Sequence, residues 1–261
     1  MNKKEDVETI NPVINGHLHY LHNVSVDNVI FGYHEKELKV LLQRPLGMAK
    51  WQLPGGYIKR TETIGEAARR IAEARTGLTE LYLEQFRSFG TPRRTTDEDF
   101  TPELLSKISG FEIPKDFWMF DYFVSVGFYT LTEFSLVKPN GDFYMEECEW
   151  WPITELPKLV FDHLEMVKEA LKSLRLHIYH HPIGYELLPE KFTLQDIHAL
   201  YETILDRKLD SRNFTKKLLS TGIIKKLDEQ KKMRGHRYPF LYIFDKEKYD
   251  NALKEMTVLV V

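Results

Sequence analysis

A chain of 261 residues, 43% hydrophobic and 13% aromatic, has the composition of a globular protein and room for one ordinary domain plus a smaller one, each with its own core. A formal charge of −3 gives no whole-chain reason to expect a polyanion, and Cys148, the one cysteine, excludes an intrachain disulfide and a thiolate metal cluster. No apolar run approaches the roughly 18 residues that span a bilayer, and MNKKEDVETI mixes charges with no apolar segment behind it, so a cytoplasmic protein without membrane contact is expected.

Residues 1–22 lack a clear period and read as an N-terminal extension. His17, His19 and His22 could in principle hold a metal, but with no carboxylate or thiol beside them a polar surface tail is the better reading. VSVDNVIFGY and LKVLLQRP, separated by HEKE, predict a hairpin, and KWQLPGGYI brings a strand into a glycine-rich turn. Ile64, Ala67, Ala68, Ile71 and Ala72 recur at helical spacing, and Gly77 stands where a helix stops, so 63–76 is predicted helical. LYLEQFRSFG is the next strand, followed by a polar insertion over 95–116.

DFWMFDYFVSVGFYTLTEF and FYMEECEWWPI read as aromatic strands joined by a turn at Pro139, Asn140 and Gly141. An amphipathic helix led in by Asp162 follows. Residues 23–180 therefore alternate strands and helices in an α/β order with a mixed sheet. YHHPIGYELLPEKF has the look of a linker, with His177, His180 and His181 as solvated histidines. Beyond it, Thr193 caps LQDIHALYETIL, then come DSRNFTKKLLSTG, the strand IIKKL, a basic turn and the strand PFLYIFD. Helix, helix, strand, basic loop and strand are the order of a winged helix-turn-helix, placed at 181–261.

The loop and helix over 55–78 resemble the Nudix box, G-x5-E-x7-R-E-U-x-E-E-x-G-U, with Gly56, Glu62, Arg70, Gly77 and Leu78 in register. In Nudix hydrolases three helix glutamates bind Mg²⁺ or Mn²⁺ and help cleave a nucleoside diphosphate linked to another group. Here those three positions are Ile71, Ala74 and Arg75. Hard oxygen donors must converge on such a cation, and an isoleucine, an alanine and a guanidinium cannot supply them. At 100° per residue Glu66 and Glu73 point roughly 140° away from that face, and they pair by spacing with Arg70 and Arg69 as solvated i,i+4 ion pairs. The resemblance thus implies the fold with its pocket and no catalytic residue. Arg44, Trp51, Gly55, Gly56, Glu62, Arg70, Arg93 and Arg94 are the candidate effector-binding residues.

Charge is uneven along the chain. Residues 207–237 hold eleven basic and three acidic residues, a window of about +8. Ser211 can cap a helix whose Phe214, Leu218 and Leu219 face a core, leaving Arg212, Asn213, Lys216 and Lys217 outside. Arginine reads guanine, asparagine reads adenine and lysines grip phosphate. Lys225 and Lys226, with Lys231, Lys232, Arg234, His236 and Arg237 of the wing, complete the candidate DNA-binding set.

Together with VFDHLEMVKEAL, PIGYELLPEKFTL, LYE and DSRNFTKKL, these features resemble the Nudix-related transcriptional regulators of the NrtR and AraR group. That resemblance implies a homodimeric repressor or activator on palindromic double-stranded operator DNA, with an effector such as ADP-ribose or a sugar such as L-arabinose. No metal cofactor is expected. Two alternatives stand beside it: a Mg²⁺-dependent Nudix hydrolase using the displaced Glu66 and Glu73, and an adaptor whose basic module docks an acidic protein.

Overall fold

The computed structural model describes residues 15–254 apart from 80, 93, 95, 141–144, 180–181 and 232–237. Arg93, Lys232, Arg234, His236 and Arg237, together with His180 and His181, lie outside the described residues. The chain divides into two units, Met1–Phe31 with Lys39–Leu131 and Ser135–Ala170, and Gly32–Leu38 with Thr132–Phe134 and Leu171–Val261.

A single helical turn, α1 (Gly16–His19), leads into β1 (Tyr20–His34) and β2 (Glu37–Pro45), most of which lie in the first unit while their tip, Gly32–Leu38, belongs to the second. Residues before 23 also pack on the first unit: Tyr20 stacks on Trp118 with ring centroids 6.2 Å apart, and His22 Nε2 lies 3.2 Å from Arg60 Nη2. The expected hairpin forms, with Glu35 and Lys36 at φ 51° and 65° giving the left-handed pair of a tight turn. β3 (Gly55–Lys59), β4 (Leu83–Phe89), β5 (Val124–Glu133) and β6 (Met145–Pro152) complete a six-stranded sheet in the order β4-β5-β1-β2-β6, with β3 paired to β1. β3, β6 and β4 run antiparallel to β1, β2 and β5, respectively. The unit is an α/β fold on a mixed sheet.

Helix α2 (Ile64–Thr76) follows from its sequence almost residue by residue. Thr63 accepts from the Glu66 N–H while the Glu66 carboxylate bonds back to the Thr63 N–H, a capping box, and Gly77 at φ 71° ends the helix with its N–H on Glu73 O. Ala67, Ala68 and Ile71 bury against Val26, Ile58, Val126 and Phe128, each large side chain contributing about 1.5–3 kcal/mol by leaving water. The expected Glu66–Arg70 ion pair does not form: Glu66 closes the cap, and Arg70 turns to Glu62 at 2.5 Å.

The insertion over 95–116 is more ordered than its polarity suggested. It contains α3 (Pro102–Ser109), capped by Thr101 accepting from Leu104 N and ended by Gly110 at φ 74°. Asp97 ties the segment down through Lys50 Nζ at 3.0 Å and the Phe161 N–H at 3.4 Å. Helix α4 (His163–His177) follows β6.

The second unit holds α5 (Leu194–Leu205), α6 (Ser211–Thr221), β7 (Ile224–Gln230), β8 (Phe240–Phe244) and α7 (Lys246–Lys254). Thr193 caps α5 as expected. The α6 cap is Asp210, which accepts from Asn213 N at 2.7 Å, so Ser211 is the first helical residue and not the cap. Phe214 and Leu218 are buried, whereas Leu219 is 44% exposed and does not join the core. The linker reading of YHHPIGYELLPEKF is also corrected. Ile183, Leu187, Leu188 and Phe192 are buried, Phe192 bridges to Tyr242, and Tyr249 Oη bonds Pro182 O at 2.8 Å. Its prolines and Gly184, at φ 141° with Phe244 against its missing side chain, shape a packed entry to the helices.

Candidate functional site

A cavity of about 520 Å³ opens on the first unit between the glycine turn, α2 and the insertion helix. The α2 face that carries Arg70, Ile71, Ala74 and Arg75 forms one wall. Leu104, Leu105 and Ile108 of α3 form an apolar wall, within the stretch that the sequence presented only as a polar insertion. Tyr20, Tyr57, Phe100, Phe123 and Phe161 add aromatic surface, with Tyr57 braced edge-on against Trp118 at 4.5 Å.

Gly55 and Gly56 line the cavity, and a steric reason keeps both positions glycine. A Cβ on Gly55 would lie 2.0 Å from Asp27 Oδ1, and one on Gly56 would lie 3.1 Å from Ile71 Cδ1. Glycine here lets the Asp27 carboxylate sit directly beneath the turn.

Asp27 belongs to a buried charge network of which the sequence had singled out only Arg94 as a site residue. Its Oδ2 accepts from Ser125 Oγ at 2.5 Å and lies 3.6 Å from Arg94 Nη2. Arg94, 2% exposed at its side chain, grips Asp162 through one bidentate edge, Nε at 2.9 Å and Nη2 at 2.7 Å. Burial alone would lower the Arg94 guanidinium, but the Asp162 hydrogen bonds and the Asp27 charge outweigh it and hold it above its ordinary value. His163 Nε2 lies 3.7 Å from Asp27 Oδ1, and its Nδ1 accepts the Leu53 N–H at 3.0 Å. Burial, helped by the Arg94 charge, pushes this imidazole below its usual value, so it is neutral. Asp27, Arg94 and His163 all line the cavity.

The other expected effector contacts divide. Arg70 lines the cavity, and its fork is fixed by Glu62 and by Tyr57 O at 3.0 Å. Glu62 stands behind it. Burial would raise the Glu62 carboxyl, but the Arg70 and Lys59 N–H bonds hold it below its ordinary value. Arg44 and Trp51 are not among the lining residues. Arg44 pairs with Glu146 and Glu147, each at 2.7 Å, and Trp51 is buried against Trp151.

The metal implied by the box does not fit. Ile71, Ala74 and Arg75 do face the cavity, so the side of α2 that would carry the ligands is correctly oriented but has no oxygen donor. Glu66 is spent on the cap and Glu62 on Arg70. Among the described residues no group of three histidine, cysteine, aspartate or glutamate side chains is arranged to hold a metal.

On the second unit, Arg212, Asn213 and Lys216 are exposed on the side of α6 opposite the buried Phe214 and Leu218, and Lys217 is half-buried. β7 presents Lys225 and Lys226. Lys225 is held by Asp245 at 3.0 Å, whereas Lys226 lies over the Phe240 ring at 3.4 Å. Lys231 reaches Asp196 at 3.4 Å. Among the described residues, the basic surface is therefore strongest on α6 and Lys226.

The NUDIX domain profile matches residues 21–170, and the profile described as the NrtR DNA-binding winged helix domain matches 184–244. The ADPR responsive transcriptional repressor NtrR of Acinetobacter baylyi is 27% identical over 234 residues, which cover 87% of this chain and 84% of that protein. The fold is similar to Shewanella oneidensis NrtR complexed with a 27mer DNA, at TM-score 0.67 and 22% identity over 88% of this chain and 96% of that one. It is also similar to a MutT/nudix family protein from Enterococcus faecalis, at TM-score 0.59 and 20% identity over 94% and 99% of the two chains.

Proposed function

Because the chain belongs to the Nudix family and carries an NrtR-type DNA-binding winged helix domain, we propose that it is a transcriptional repressor whose grip on operator DNA is controlled by ADP-ribose. The observation that carries the DNA half is the surface of α6. Its first turns expose Arg212, Asn213 and Lys216 on a helix seated by Phe214 and Leu218. A helix so mounted enters the major groove N-terminus first. Arg212 and Asn213 read base edges, and Lys216, Lys217 and Lys226 hold phosphates. Lys225 and Lys231, held by Asp245 and Asp196, contribute less.

ADP-ribose is suggested by the name of the Acinetobacter baylyi relative and supported by the cavity. About 520 Å³ falls within the usual range for small-molecule sites. Aromatic surface suits an adenine ring, and guanidinium groups suit a diphosphate, which an unphosphorylated sugar such as L-arabinose lacks. The protein acts in the cytoplasm as a homodimer on a two-fold operator, and no helix of the described residues is long and apolar enough to cross a membrane. ADP-ribose controls DNA binding only by binding the two conformational states unequally. The hydrolase alternative is weakened because Glu66 is engaged in the helix cap and neither Glu66 nor Glu73 is among the residues that line the cavity.

Fluorescence anisotropy with a labelled duplex from the intergenic region upstream of the gene tests this reading. Selective binding over a scrambled duplex, with log affinity falling linearly against log salt, is expected. Equal, weak binding to both duplexes would contradict it.

A further inference from the structure

Arg212 and Asn213 lie in the first turn of α6, so the pose of that turn decides whether they meet base edges. Base readout tolerates little displacement, because a hydrogen bond is made at about 2.7–3.2 Å and weakens steeply with angle. Lysine contacts to phosphate are more forgiving: charge acts over a Debye length of about 8 Å, and the side chain is long and flexible. A displaced α6 therefore loses selectivity before it loses adhesion to DNA.

The turn over 206–210 sets this pose, and one residue of α5 collects its N–H groups. The Glu202 carbonyl accepts from Asp206 N, the left-handed cap at φ 54°, and from Arg207 N at 3.3 Å. The Glu202 carboxylate accepts from Leu209 N at 2.9 Å and pairs with Lys208 Nζ at 3.1 Å. The Leu209 N–H, aided by Lys208, outweighs burial and holds this carboxyl below its ordinary value, so it is ionised and only accepts. One turn earlier, His198 Nε2 lies 3.2 Å from Leu209 O; a carbonyl only accepts, so the ring donates there. Both backbone groups of Leu209 are thus tied to α5 by side chains. Asp210 follows at once as the cap of α6, and the His198 ring also stands edge-on to Phe214 at 5.2 Å. Each helix already ends on its own cap, Asp206 for α5 and Asp210 for α6. What the clamp on Leu209 adds is the setting of one helix against the other.

We propose that Glu202 and His198 are positioning residues for operator recognition: by clamping Leu209 they fix where the first turn of α6 begins, and with it the base contacts of Arg212 and Asn213, without touching DNA themselves. This inference rests on the DNA-binding reading above. It assigns selectivity to two side chains outside the basic face, 17% and 18% exposed, and leaves adhesion to the lysines.

Anisotropy on the full chain with the intergenic duplex and a scrambled duplex, each at three salt concentrations, tests it. Glu202→Ala should lower affinity for the intergenic duplex roughly 5- to 100-fold, about what the loss of one base contact costs, while affinity for the scrambled duplex and the salt slope stay unchanged. Glu202→Gln, which keeps an acceptor for the Leu209 N–H, should retain most of the selectivity. His198→Leu, which removes the donor to Leu209 O, should reproduce the loss, and it carries the same test should melting curves show that Glu202→Ala does not fold. Undiminished selectivity in Glu202→Ala and His198→Leu, an equal loss on both duplexes, or a Glu202→Gln variant as impaired as Glu202→Ala would overturn the inference and leave the DNA-binding reading standing. If wild-type protein does not distinguish the two duplexes, that reading falls and the inference falls with it.

Discussion

Replacing Arg94 by methionine tests whether the buried network beneath the glycine turn is held by charge. The substitution keeps much of the side-chain volume but removes the cation from between two carboxylates. Asp162 loses hydrogen bonds of 2.9 and 2.7 Å, and Asp27 loses a cation 3.6 Å away, at a side chain only 2% exposed. Removing one partner of a buried pair costs about 3–5 kcal/mol, most of it the penalty of the charge left behind. At roughly 2–4 °C per kcal/mol for a unit of this size, the melting temperature should fall by about 6–20 °C at pH 7.5. The unpaired carboxylates then have folded pKa values raised above their unfolded ones, so the variant's deficit should shrink as pH falls and they protonate. Asp162→Asn added to Arg94→Met should recover part of the loss. A drop under about 2 °C, or a larger one that neither acid nor Asp162→Asn relieves, would refute a charge-held network.

Other substitutions separate the remaining contributions. Arg212→Ala or Asn213→Ala should cost roughly 10- to 100-fold in operator affinity and relax selectivity at one base pair, whereas Lys216→Ala should weaken all duplexes alike and reduce the salt slope by about one; binding titrations at three salt concentrations distinguish them. His163 has a folded pKa lowered by burial, so the unfolded chain takes its proton first and stability is lost as pH falls through about 6.5. Melts from pH 8 to 5 should show a shallower acid decline for His163→Gln than for wild type, and parallel curves would contradict the buried neutral ring. Glu186 is the opposite case. Burial raises its carboxyl, so its contribution is present below about pH 4.5 and is lost as pH rises. Glu186→Gln, which keeps an acceptor 3.0 Å from Tyr249 Oη, should raise the melting temperature of the second unit at pH 7.5 and change it little at pH 4.

The box helix was legible because its determinants are local. Thr63, Glu66 and Gly77 close their hydrogen bonds within a few residues, and the face carrying Ile71, Ala74 and Arg75 follows from 3.6 residues per turn. The same locality exposed the basic face of α6, although the cap fell one residue earlier, where Asp210 accepts the Asn213 N–H. Arg44 illustrates what pattern alone misses. Strand pairing sets it opposite Glu147, more than a hundred residues away, and turns a candidate anion contact into an ion pair. Asp27, Arg94, Asp162 and His163 likewise meet only once β1, the loop after β4 and the start of α4 have assembled. Polarity also disguised α3, whose apolar side turns to the cavity, and the stretch before α5, where Ile183, Leu187, Leu188 and Phe192 are buried.

The most direct test of an NrtR-type regulator governed by ADP-ribose is the anisotropy of its operator duplex at fixed salt while ADP-ribose is added. A saturable fall to the value of free DNA, with no effect of L-arabinose, is predicted. Anisotropy that stays constant or rises at saturating ADP-ribose would contradict it.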